Sequence, residues 1–287
     1  MTVLSLPGRT LKAATDRPPR RSRNVPLIIG LTLFGLIVLA AVCAPLLAQW
    51  NPTQQNLLQA RLAPGAPGHL LGTDELGRDV LSRLLYGVRV DLRTGVLAVL
   101  GPFAIGSVLG LVTGWFGGWL DTVVMRLCDI IVAFPFFVLV IALVFALGAG
   151  TGSIYLAITM VGWVAYCRIV RGEVLVAKEQ EYALAARASG LSTWRILFRH
   201  LLPNVLLQAV VFAMSDIILT ILAIVTLGFL GLGVPPPTPE WGTMISDGQQ
   251  FLLGQWYLAT IPGLAVVLTG ISLALIADGL VERHSRR

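Results

Sequence analysis

The sequence predicts an all-α membrane protein with about six transmembrane helices, because its composition and its long apolar runs both favour this fold class. Of the 287 residues, 56% are hydrophobic and only 13% are charged, whereas a typical soluble domain has about 25% charged residues. A helix needs about 20 mainly apolar residues to cross the ~30 Å hydrocarbon core of a bilayer. Stretches of this kind are Leu27–Leu47, Thr94–Gly114, Val123–Leu147, Ser153–Val170, Val205–Leu230 and Tyr257–Ala277.

The first stretch is predicted to be a membrane anchor that is not cleaved. A basic tail, residues 1–26, precedes it. The run Leu27–Leu47 is longer than the ~7 to 15 apolar residues at the centre of a secretion signal. Pro45 also follows the only small-residue site at which such a signal could be cut. We therefore expect residues 27–47 to be the first transmembrane anchor.

The distribution of Lys and Arg predicts the side of the membrane on which each loop lies, because these residues are kept on the cytoplasmic side near the span ends. With the N terminus inside, sixteen of the 21 Lys and Arg residues are cytoplasmic, including those of the C-terminal tail, residues 281–287. Both termini are therefore predicted to be cytoplasmic. The net charge of +6 is explained by this topology and by contact with anionic lipids, and it does not indicate nucleic-acid binding.

The segment between the first two spans, residues 48–93, is predicted to lie outside and to contain an amphipathic helix. From Thr73 onward, apolar residues recur with a helical period, which is typical of a helix that lies along the membrane interface. A connector helix with a solvated face explains the pattern equally well. On the polar face, two i,i+4 pairs of opposite charge are expected, namely Asp74 with Arg78 and Asp79 with Arg83.

Gly106, Gly110 and Gly114 recur at four-residue spacing in the second span and line one face of the predicted helix. Small residues let another helix approach closely, which is how spans associate when lipid offers no hydrophobic drive. The helix packed there belongs either to the same subunit or to a neighbouring one. In both cases we expect this face to be turned away from lipid.

The only long loop on the cytoplasmic side, residues 171–203, predicts two short helices. Glu173–Ser189 has a helix-forming composition, and Gly190 is expected to end that helix. Ser192 can cap a second helix, which Pro203 ends near the membrane. The apolar residues of such an element need a cover, which is either a partner protein or the membrane surface.

This loop resembles the EAA loop, the signature of ABC importer permeases, because Ala185–Ala186, Gly190 and Leu202–Pro203 fit its spacing. In that family the loop forms a coupling helix that sits in a groove on the ATPase subunit. Leu184 stands where the Glu of the loop usually lies, although Glu181 is one turn earlier. The resemblance implies a set of coupling residues, which are Glu181, Ala185, Ala186, Arg187, Gly190, Leu191, Leu202 and Pro203.

Further matches narrow the resemblance to permeases of the dipeptide, oligopeptide and nickel group, the DppC/OppC type. They follow the family's order in the runs Leu71–Val80, Asp129–Ile130, Phe134–Pro135, Phe198–Asn204, Phe229–Gly233, Pro239–Gly242 and Asp278–Leu280. The resemblance implies the type I ABC importer permease architecture, with residues 94–280 as a core of five transmembrane helices. It also implies a location in the cytoplasmic (inner) membrane of a bacterium.

The same resemblance implies the rest of the transporter: a second permease of the DppB/OppB type, one or two ATPase subunits and an extracytoplasmic solute-binding protein. The chain has no G-x-x-x-x-G-K-[ST] phosphate loop, and Lys12 and Lys178 are its only lysines. We therefore expect a non-catalytic subunit without a cofactor, whose ATPase partners bind ATP and Mg²⁺. Cys43, Cys128 and Cys167 indicate neither a disulfide framework nor a metal site. The implied solutes are dipeptides or oligopeptides, glutathione or nickel chelates.

Ionisable residues inside spans are candidates for function because they are costly in lipid. Asp216, near the middle of the fifth span, is expected either to line the translocation path or to form a buried hydrogen bond to the other permease. Asp129 lies one turn from Arg126, and a local ion pair is expected there. An ion-coupled secondary transporter would use such acids as relays, but no inverted repeat is evident. An intramembrane hydrolase would need a base, and no His lies in a predicted span.

Overall fold

The computed structural model describes residues 25–285, and the regular secondary structure of this part is helical. The α-helices in chain order are α1 (Val25–Val42), α2 (Ala44–Leu47), α3 (Val80–Phe116), α4 (Gly118–Val132), α5 (Phe136–Leu147), α6 (Thr151–Ala177), α7 (Glu181–Ala188), α8 (Thr193–Arg195), α9 (Leu202–Phe229), α10 (Trp241–Gln249) and α11 (Tyr257–Ser285). A 3₁₀ turn covers Leu57–Gln59, and a π-helical segment, Ile196–Leu201, joins α8 to α9. Most of the predicted N-terminal tail and the last two residues lie outside the described range.

Within the described range, five helices are long and apolar enough to cross a membrane, and a sixth span results if α4 and α5 are counted together. The five are α1, α3, α6, the continuous run Thr193–Phe229, and α11 as far as Gly279. The prediction of an all-α membrane protein with about six spans is therefore confirmed.

The third predicted span, Val123–Leu147, is broken, and the prediction of one continuous helix was wrong. Helices α4 and α5 meet at an angle of 89°. Pro135 stands at the break and has no backbone N–H to donate, and its ring disfavours a helical backbone at Phe134. The chain therefore turns sharply here, and the corner forms part of the wall of a cavity described below.

The predicted amphipathic helix beginning at Thr73 was also wrong. Helix α3 begins at Val80 and continues without interruption through the second span. Gly72 and Gly77 have positive φ angles of 77° and 72°, which a right-handed helix does not allow. Asp79 then caps α3 by accepting a 2.7 Å hydrogen bond from a backbone N–H of its first turn. Residues before this cap form turns rather than a helix that lies on the membrane.

Helices α3 and α6 pack with their backbones in contact. A Cβ atom added at Gly106, Gly110 or Gly114 would lie 2.3, 2.5 or 2.8 Å from the nearest atom of α6, closer than real Cβ atoms approach other atoms. The three glycines therefore face a helix of the same chain. This close approach fixes α3 against α6, which leads directly to the segment that contains α7.

That loop differs from the two separate helices expected. Helix α6 extends to Ala177, beyond the predicted end of the fourth span at Val170, and α7 is a short helix of its own. Helix α8 continues through the π-helical segment into α9, so that Pro203 lies in the first turn of α9 and does not end a helix. Ser192 occupies the N-cap position of α8 but forms no side-chain cap hydrogen bond.

Candidate coupling helix and translocation path

Helix α7 is attached to the rest of the chain by a face of alanines. Ala183 and Ala186 are 0% and 8% exposed, and they belong to an apolar cluster that also contains Val174 of α6 and Leu197 and Leu201 of the π-helical segment. Their small side chains let α7 lie close to these neighbours. The position of α7 therefore depends on both α6 and the start of α9.

A Schellman motif ends α7. Gly190 has a φ angle of 71°, and its N–H donates a 3.0 Å hydrogen bond to the carbonyl of Arg187. The N–H of Leu191 donates a 3.3 Å hydrogen bond to the carbonyl of Ala186. A Cβ atom at Gly190 would meet no atom within 4 Å. The left-handed backbone, and not lack of space, therefore requires glycine here.

Two cations connect the α7 loop to the end of α3. The guanidinium carbon of Arg187 lies 4.3 Å from the centre of the Trp115 ring, a cation–π contact. Lys178 Nζ donates a 3.1 Å hydrogen bond to the carbonyl of Gly114, one of the last carbonyls of α3, which lack a helical partner. The α7 loop is therefore attached to α3 by these contacts and to α9 by the π-helical segment.

The opposite face of α7 is exposed. Glu181, Leu184, Ala185 and Ala188 follow the i, i+3, i+4, i+7 spacing of one helix face, and all four are exposed. Leu184, which stands in place of the usual Glu of an EAA loop, is 45% exposed. The outward face thus offers an apolar side chain where this loop usually offers a carboxylate.

Aromatic side chains extend this surface. The rings of Trp194 and Phe198 are stacked with centroids 5.8 Å apart, and Phe116 lies edge-on to Trp194 at 6.3 Å. All three are exposed. Phe116 was not predicted as part of this element, because it lies at the end of a different helix and no motif connects the two segments.

The remaining predicted coupling residues do not share one surface. Leu191 and Leu202 are half-buried against the apolar cluster beneath α7, and Pro203 is exposed on α9. The predicted set therefore divides into residues that hold α7, residues that form its final turn, residues on its outward face and the first two residues of α9, Leu202 and Pro203.

Asp216 has a partner within the chain. The hydroxyl of Tyr166 on α6 donates a 2.8 Å hydrogen bond to Asp216 Oδ2. Tyr166 is buried, and its ring is held edge-on by Phe103 and Phe212, with centroid distances of 5.6 and 5.1 Å. Sequence reasoning missed Tyr166 because it lies 50 residues from Asp216. One oxygen of a membrane carboxylate is thus held by a neutral donor.

Asp216 also lines an open cavity of about 610 Å³ between α6, α9 and the corner where α4 meets α5. Phe134, Phe136 and Phe137 form much of the wall, and Arg168 is the other charged residue in it. The volume lies within the range of roughly 300–1,000 Å³ that is typical of small-molecule sites. The cavity is therefore apolar apart from one carboxylate and one guanidinium.

The main partner of Asp129 is not the one expected. Arg126 Nη1 lies 4.0 Å from Asp129 Oδ2, whereas Arg168 Nη2 of α6 donates a 2.7 Å hydrogen bond to Asp129 Oδ1. The same two helices share a second pair, in which Nε and Nη2 of Arg171 lie 2.5 and 2.6 Å from the two oxygens of Asp121. Such bidentate geometry is typical of strong pairs, and together the two pairs connect α4 to α6.

At the end of the bundle opposite α7 lies a group of charged residues that we call the arginine cluster: Asp74, Glu75, Arg78, Arg83 and Asp247. Arg78 Nε donates a 2.6 Å hydrogen bond to Asp74 Oδ2, and its Nη2 donates a 3.0 Å hydrogen bond to Glu75 Oε1. Desolvation raises the pKa of Glu75 and of Asp247 above their usual values. Asp74 and Arg78 are only 7% and 4% exposed, so the predicted solvated face is in fact buried.

Asp79 does not pair with Arg83 as predicted. It lies 2.9 Å from Nδ1 of His69 and caps α3 with its other oxygen. The His69 ring is stacked on Trp50 with a centroid distance of 5.0 Å, and Trp50 Nε1 donates a 2.8 Å hydrogen bond to the carbonyl of Gly68. These contacts fold the segment before α3 onto the start of that helix.

Glu240 caps α10 and lies beside Asp91 of α3. The backbone N–H groups of Gly242 and Thr243 donate hydrogen bonds of 2.7 and 2.8 Å to its carboxylate. The N–H of Trp241 donates a 3.1 Å hydrogen bond to Asp91 Oδ2. Glu240 is fully buried, and desolvation raises its pKa above the usual value. Two buried carboxyl groups thus connect α10 to α3.

Residues 25–285 contain no group of three or more His, Cys, Asp or Glu side chains that could hold a metal ion. The three cysteines are free thiols, and Cys128 and Cys167 are buried between helices.

Two family models match the chain. The model described as "binding-protein-dependent transport system inner membrane component" matches residues 106–287, which is more than half of the chain. The model described as "N-terminal TM domain of oligopeptide transport permease C" matches residues 20–64.

Similar curated proteins cover most of the chain. The dipeptide transport system permease protein DppC of Escherichia coli is 42% identical over 264 residues, which cover 90% of this chain and 88% of that protein. The protein of the same name from Haemophilus influenzae is 38% identical over 263 residues, with coverages of 90% and 89%. The glutathione transport system permease protein GsiD of Pectobacterium atrosepticum is 39% identical over 250 residues, with coverages of 86% and 83%.

A solved structure supports the same fold. A chain of the MetNI methionine ABC transporter in an inward-facing conformation superposes with a TM-score of 0.55 at 20% identity, over 70% of this chain and 95% of that chain. The fold is therefore that of an ABC importer permease. The chain belongs to the family of binding-protein-dependent transport system inner membrane components, and within it to the DppC/OppC type. It is a multi-pass inner-membrane protein.

Proposed function

We propose that this chain is one of two permease subunits of an ATP-driven importer of dipeptides or oligopeptides. The similar proteins from E. coli, H. influenzae and P. atrosepticum are named for dipeptide or glutathione transport, and both solutes are short peptides. The partners are a second permease of the DppB/OppB type, one or two ATPase subunits and an extracytoplasmic solute-binding protein. Both termini and α7 are cytoplasmic.

The observation that carries the coupling role is the construction of α7. One face is held by buried Ala183 and Ala186, and the opposite face is exposed. A short helix that is fixed on one side and uncovered on the other is suited to dock on a partner. We assign the ATPase contact to the outward face that contains Glu181, Leu184 and Ala185. Apolar contact replaces the usual carboxylate contact at Leu184.

The contacts of α7 with α3 and α9 also transmit its movement to the membrane spans. When ATP and Mg²⁺ bind to the partner subunits and those subunits close, α7 is drawn with them. The contacts of Arg187 with Trp115 and of Lys178 with the Gly114 carbonyl transfer the displacement to α3. The continuous path through the π-helical segment transfers it to α9. The spans then rock between inward-facing and outward-facing arrangements.

Asp216 is assigned to the translocation path. Tyr166 holds one carboxylate oxygen, and Asp216 lines the large cavity at the α4–α5 corner. A carboxylate there can receive the ammonium group of a passing peptide. The variant Asp216→Asn keeps the shape of the side chain, and we expect it to reduce uptake while the complex still assembles. Loss of the complex would instead assign Asp216 a structural role.

The coupling role is tested by co-purification of the ATPase subunits with the variant Leu184→Asp. A new charge on the outward face of α7 should weaken ATPase association and uptake of alanylalanine by about tenfold or more, because a buried apolar contact would become an unpaired charge. Leu253→Asp is the matched control, since Leu253 is also exposed but follows α10 at the other end of the bundle.

Equal ATPase association in the two variants would overturn the coupling role. Uptake of alanylalanine by the whole wild-type complex tests the substrate class. An ion-coupled secondary transporter or an intramembrane hydrolase would co-purify with no specific ATPase, so the wild-type experiment also separates the proposed function from these alternatives.

A further inference from the structure

A second cavity, of about 270 Å³, lies at the end of the bundle opposite α7. Its wall includes Ala149 just before α6, the loop after α9, the start of α10 and residues near the start of α3. Helix α6, whose 27 residues span ~40 Å, begins beside this cavity and ends at the α7 loop. With α7 in the cytoplasm, the cavity therefore lies at the outer mouth of the permease.

The charged residues of this wall are Arg78, Arg83 and Asp247. Arg78 is largely occupied, because it is bonded to Asp74 and Glu75 and its Nη2 lies 3.7 Å from Asp247 Oδ2. Arg83 and Asp247 are less well paired. Arg83 and Asp247 therefore place one positive and one negative group in the wall of this cavity.

Of the two arginines in this wall, Arg83 has fewer polar contacts than Arg78. Its side chain is 3% exposed, and its one ion pair within the described range is a 3.4 Å contact from Nε to Asp74 Oδ2. Its Nη1 is buried without a hydrogen-bond partner among the described residues. A buried donor that is left unbonded is unfavourable, and a buried guanidinium binds a carboxylate well because several N–H groups can be directed at it. Because Arg83 lines the cavity, a carboxylate there would give its guanidinium a second anionic partner besides Asp74.

Asp247 complements this cation. It lies in the same wall and its side chain is 44% exposed, so a ligand can reach it without breaking a buried pair. The rest of the wall offers hydroxyl groups of Thr238, Thr243 and Ser246 and the backbone of a glycine- and proline-rich loop. A ligand with both a carboxylate and an ammonium group therefore matches the site better than a simple anion.

We infer that this cavity receives the two charged ends of a short zwitterionic peptide, with its carboxylate at Arg83 and its ammonium group at Asp247. The volume lies just below the usual range of roughly 300–1,000 Å³ for ligand sites, which suits a dipeptide. The inference rests on the proposed function and adds to it a receiving site on this subunit, at the outer mouth and separate from the cavity at Asp216.

The test measures equilibrium binding to the purified complex of both permeases and the ATPases, in nanodiscs and without the solute-binding protein. The probes are labelled alanylalanine, its C-terminal amide and its N-acetyl derivative. The wild type should bind alanylalanine about tenfold more tightly than either derivative. Arg83→Gln should remove the preference over the amide, and Arg83→Lys, which keeps the charge, should retain part of it. Asp247→Asn should remove the preference over the N-acetyl derivative.

Equal binding of all three probes by the wild type would overturn the inference, as would an unchanged preference in both Arg83→Gln and Asp247→Asn. If Arg83→Gln does not assemble, Asp247→Asn decides alone, because its half-exposed side chain can change without leaving a buried charge. Uptake of alanylalanine by the whole complex is measured in parallel. Uptake together with equal binding rejects only the receiving site, whereas absence of peptide uptake rejects the proposed function itself.

Discussion

The two ends of this permease are built in opposite ways. The α7 end rests on small buried side chains, Ala183 and Ala186, and its polar contacts are few. The other end is organised around Arg78, which is buried among carboxylates. A face of alanines can shift as a unit, whereas a buried charge that loses its partner becomes uncompensated. The difference predicts that, under the proposed function, α7 moves as a coupling element while the arginine-cluster end forms a rigid outer frame.

Removal of Arg78 should have the largest effect. Arg78→Met leaves Glu75 without its cation and leaves buried Asp74 with only the 3.4 Å contact to Arg83, so we expect the free energy of unfolding to fall by about 3–5 kcal/mol. Thermal unfolding of the purified protein in detergent measures the change. Arg126→Met is the control, because Arg126 is exposed and makes only a 4.0 Å contact. Equal unfolding temperatures in the two variants would show that the outer frame is not held by these charges.

Widening the contact between α3 and α6 should have the next largest effect. In Gly110→Leu the new side chain meets the backbone of α6, where even a Cβ atom would lie 2.5 Å from the Cys167 carbonyl. We expect a loss of about 1–3 kcal/mol or more, since the helices must separate. Gly270→Leu is the control, because a Cβ atom there would meet no atom within 4 Å. Similar losses in both variants, measured by thermal unfolding, would contradict the importance of this contact.

A milder change should affect the coupling end alone. Gly190→Ala forces alanine into a left-handed backbone at a cost of about 1–2 kcal/mol, and Gly190→Asn should cost less. We expect faster hydrogen exchange in α7 and reduced peptide-stimulated ATPase activity, with little change in global unfolding. Gly172→Ala on exposed helical backbone should leave all three measurements unchanged. Global destabilisation by Gly190→Ala would mean that α7 belongs to the rigid frame.

The smallest expected effect is on the pH dependence of the unfolding temperature, to which Glu240 contributes. Burial raises the pKa of Glu240 from its usual value of 4.5, so the folded protein holds this proton more tightly than the unfolded chain. The contribution of Glu240 to stability therefore decreases as pH rises above 4.5 towards the raised value. Glu240→Gln should make the unfolding temperature less dependent on pH above 4.5. Exposed Glu179→Gln should leave the slope unchanged, and an unchanged slope in Glu240→Gln would exclude this linkage.

The length of the apolar runs was enough to predict the spans, because a helix of sufficient length and hydrophobicity crosses a bilayer almost independently of how it packs. It was not enough to predict their continuity. Pro135 lies in the third predicted span, but a count of apolar residues takes no account of the backbone N–H that proline lacks. Similarly, the helical period of the apolar residues from Thr73 onward takes no account of Gly72 and Gly77. The positive φ angles of these two glycines exclude a continuous α-helix there.

The family was predictable from segments whose residues are close in sequence, whereas the coupling roles of those residues stay a prediction. The family resemblance that rested on the segment around Gly190 was confirmed by the family match. Contacts between distant segments were not predictable, because a pattern along one helix cannot show which helix lies opposite. Asp129 was assigned to Arg126 rather than Arg168 for this reason, and Tyr166 was missed as the partner of Asp216.

The π-helical segment Ile196–Leu201 has a consequence for the direction in which Asp216 points. A π turn holds more residues than an α turn, so it alters the rotational phase of every residue that follows. One extra residue corresponds to about 100° around the helix axis. If Ile196–Leu201 were regular α-helix and α8 kept its position, the Asp216 carboxylate would be turned about a quarter of a circle away from Tyr166. The irregular turn beside α7 thus determines the direction in which a carboxylate within a membrane span points.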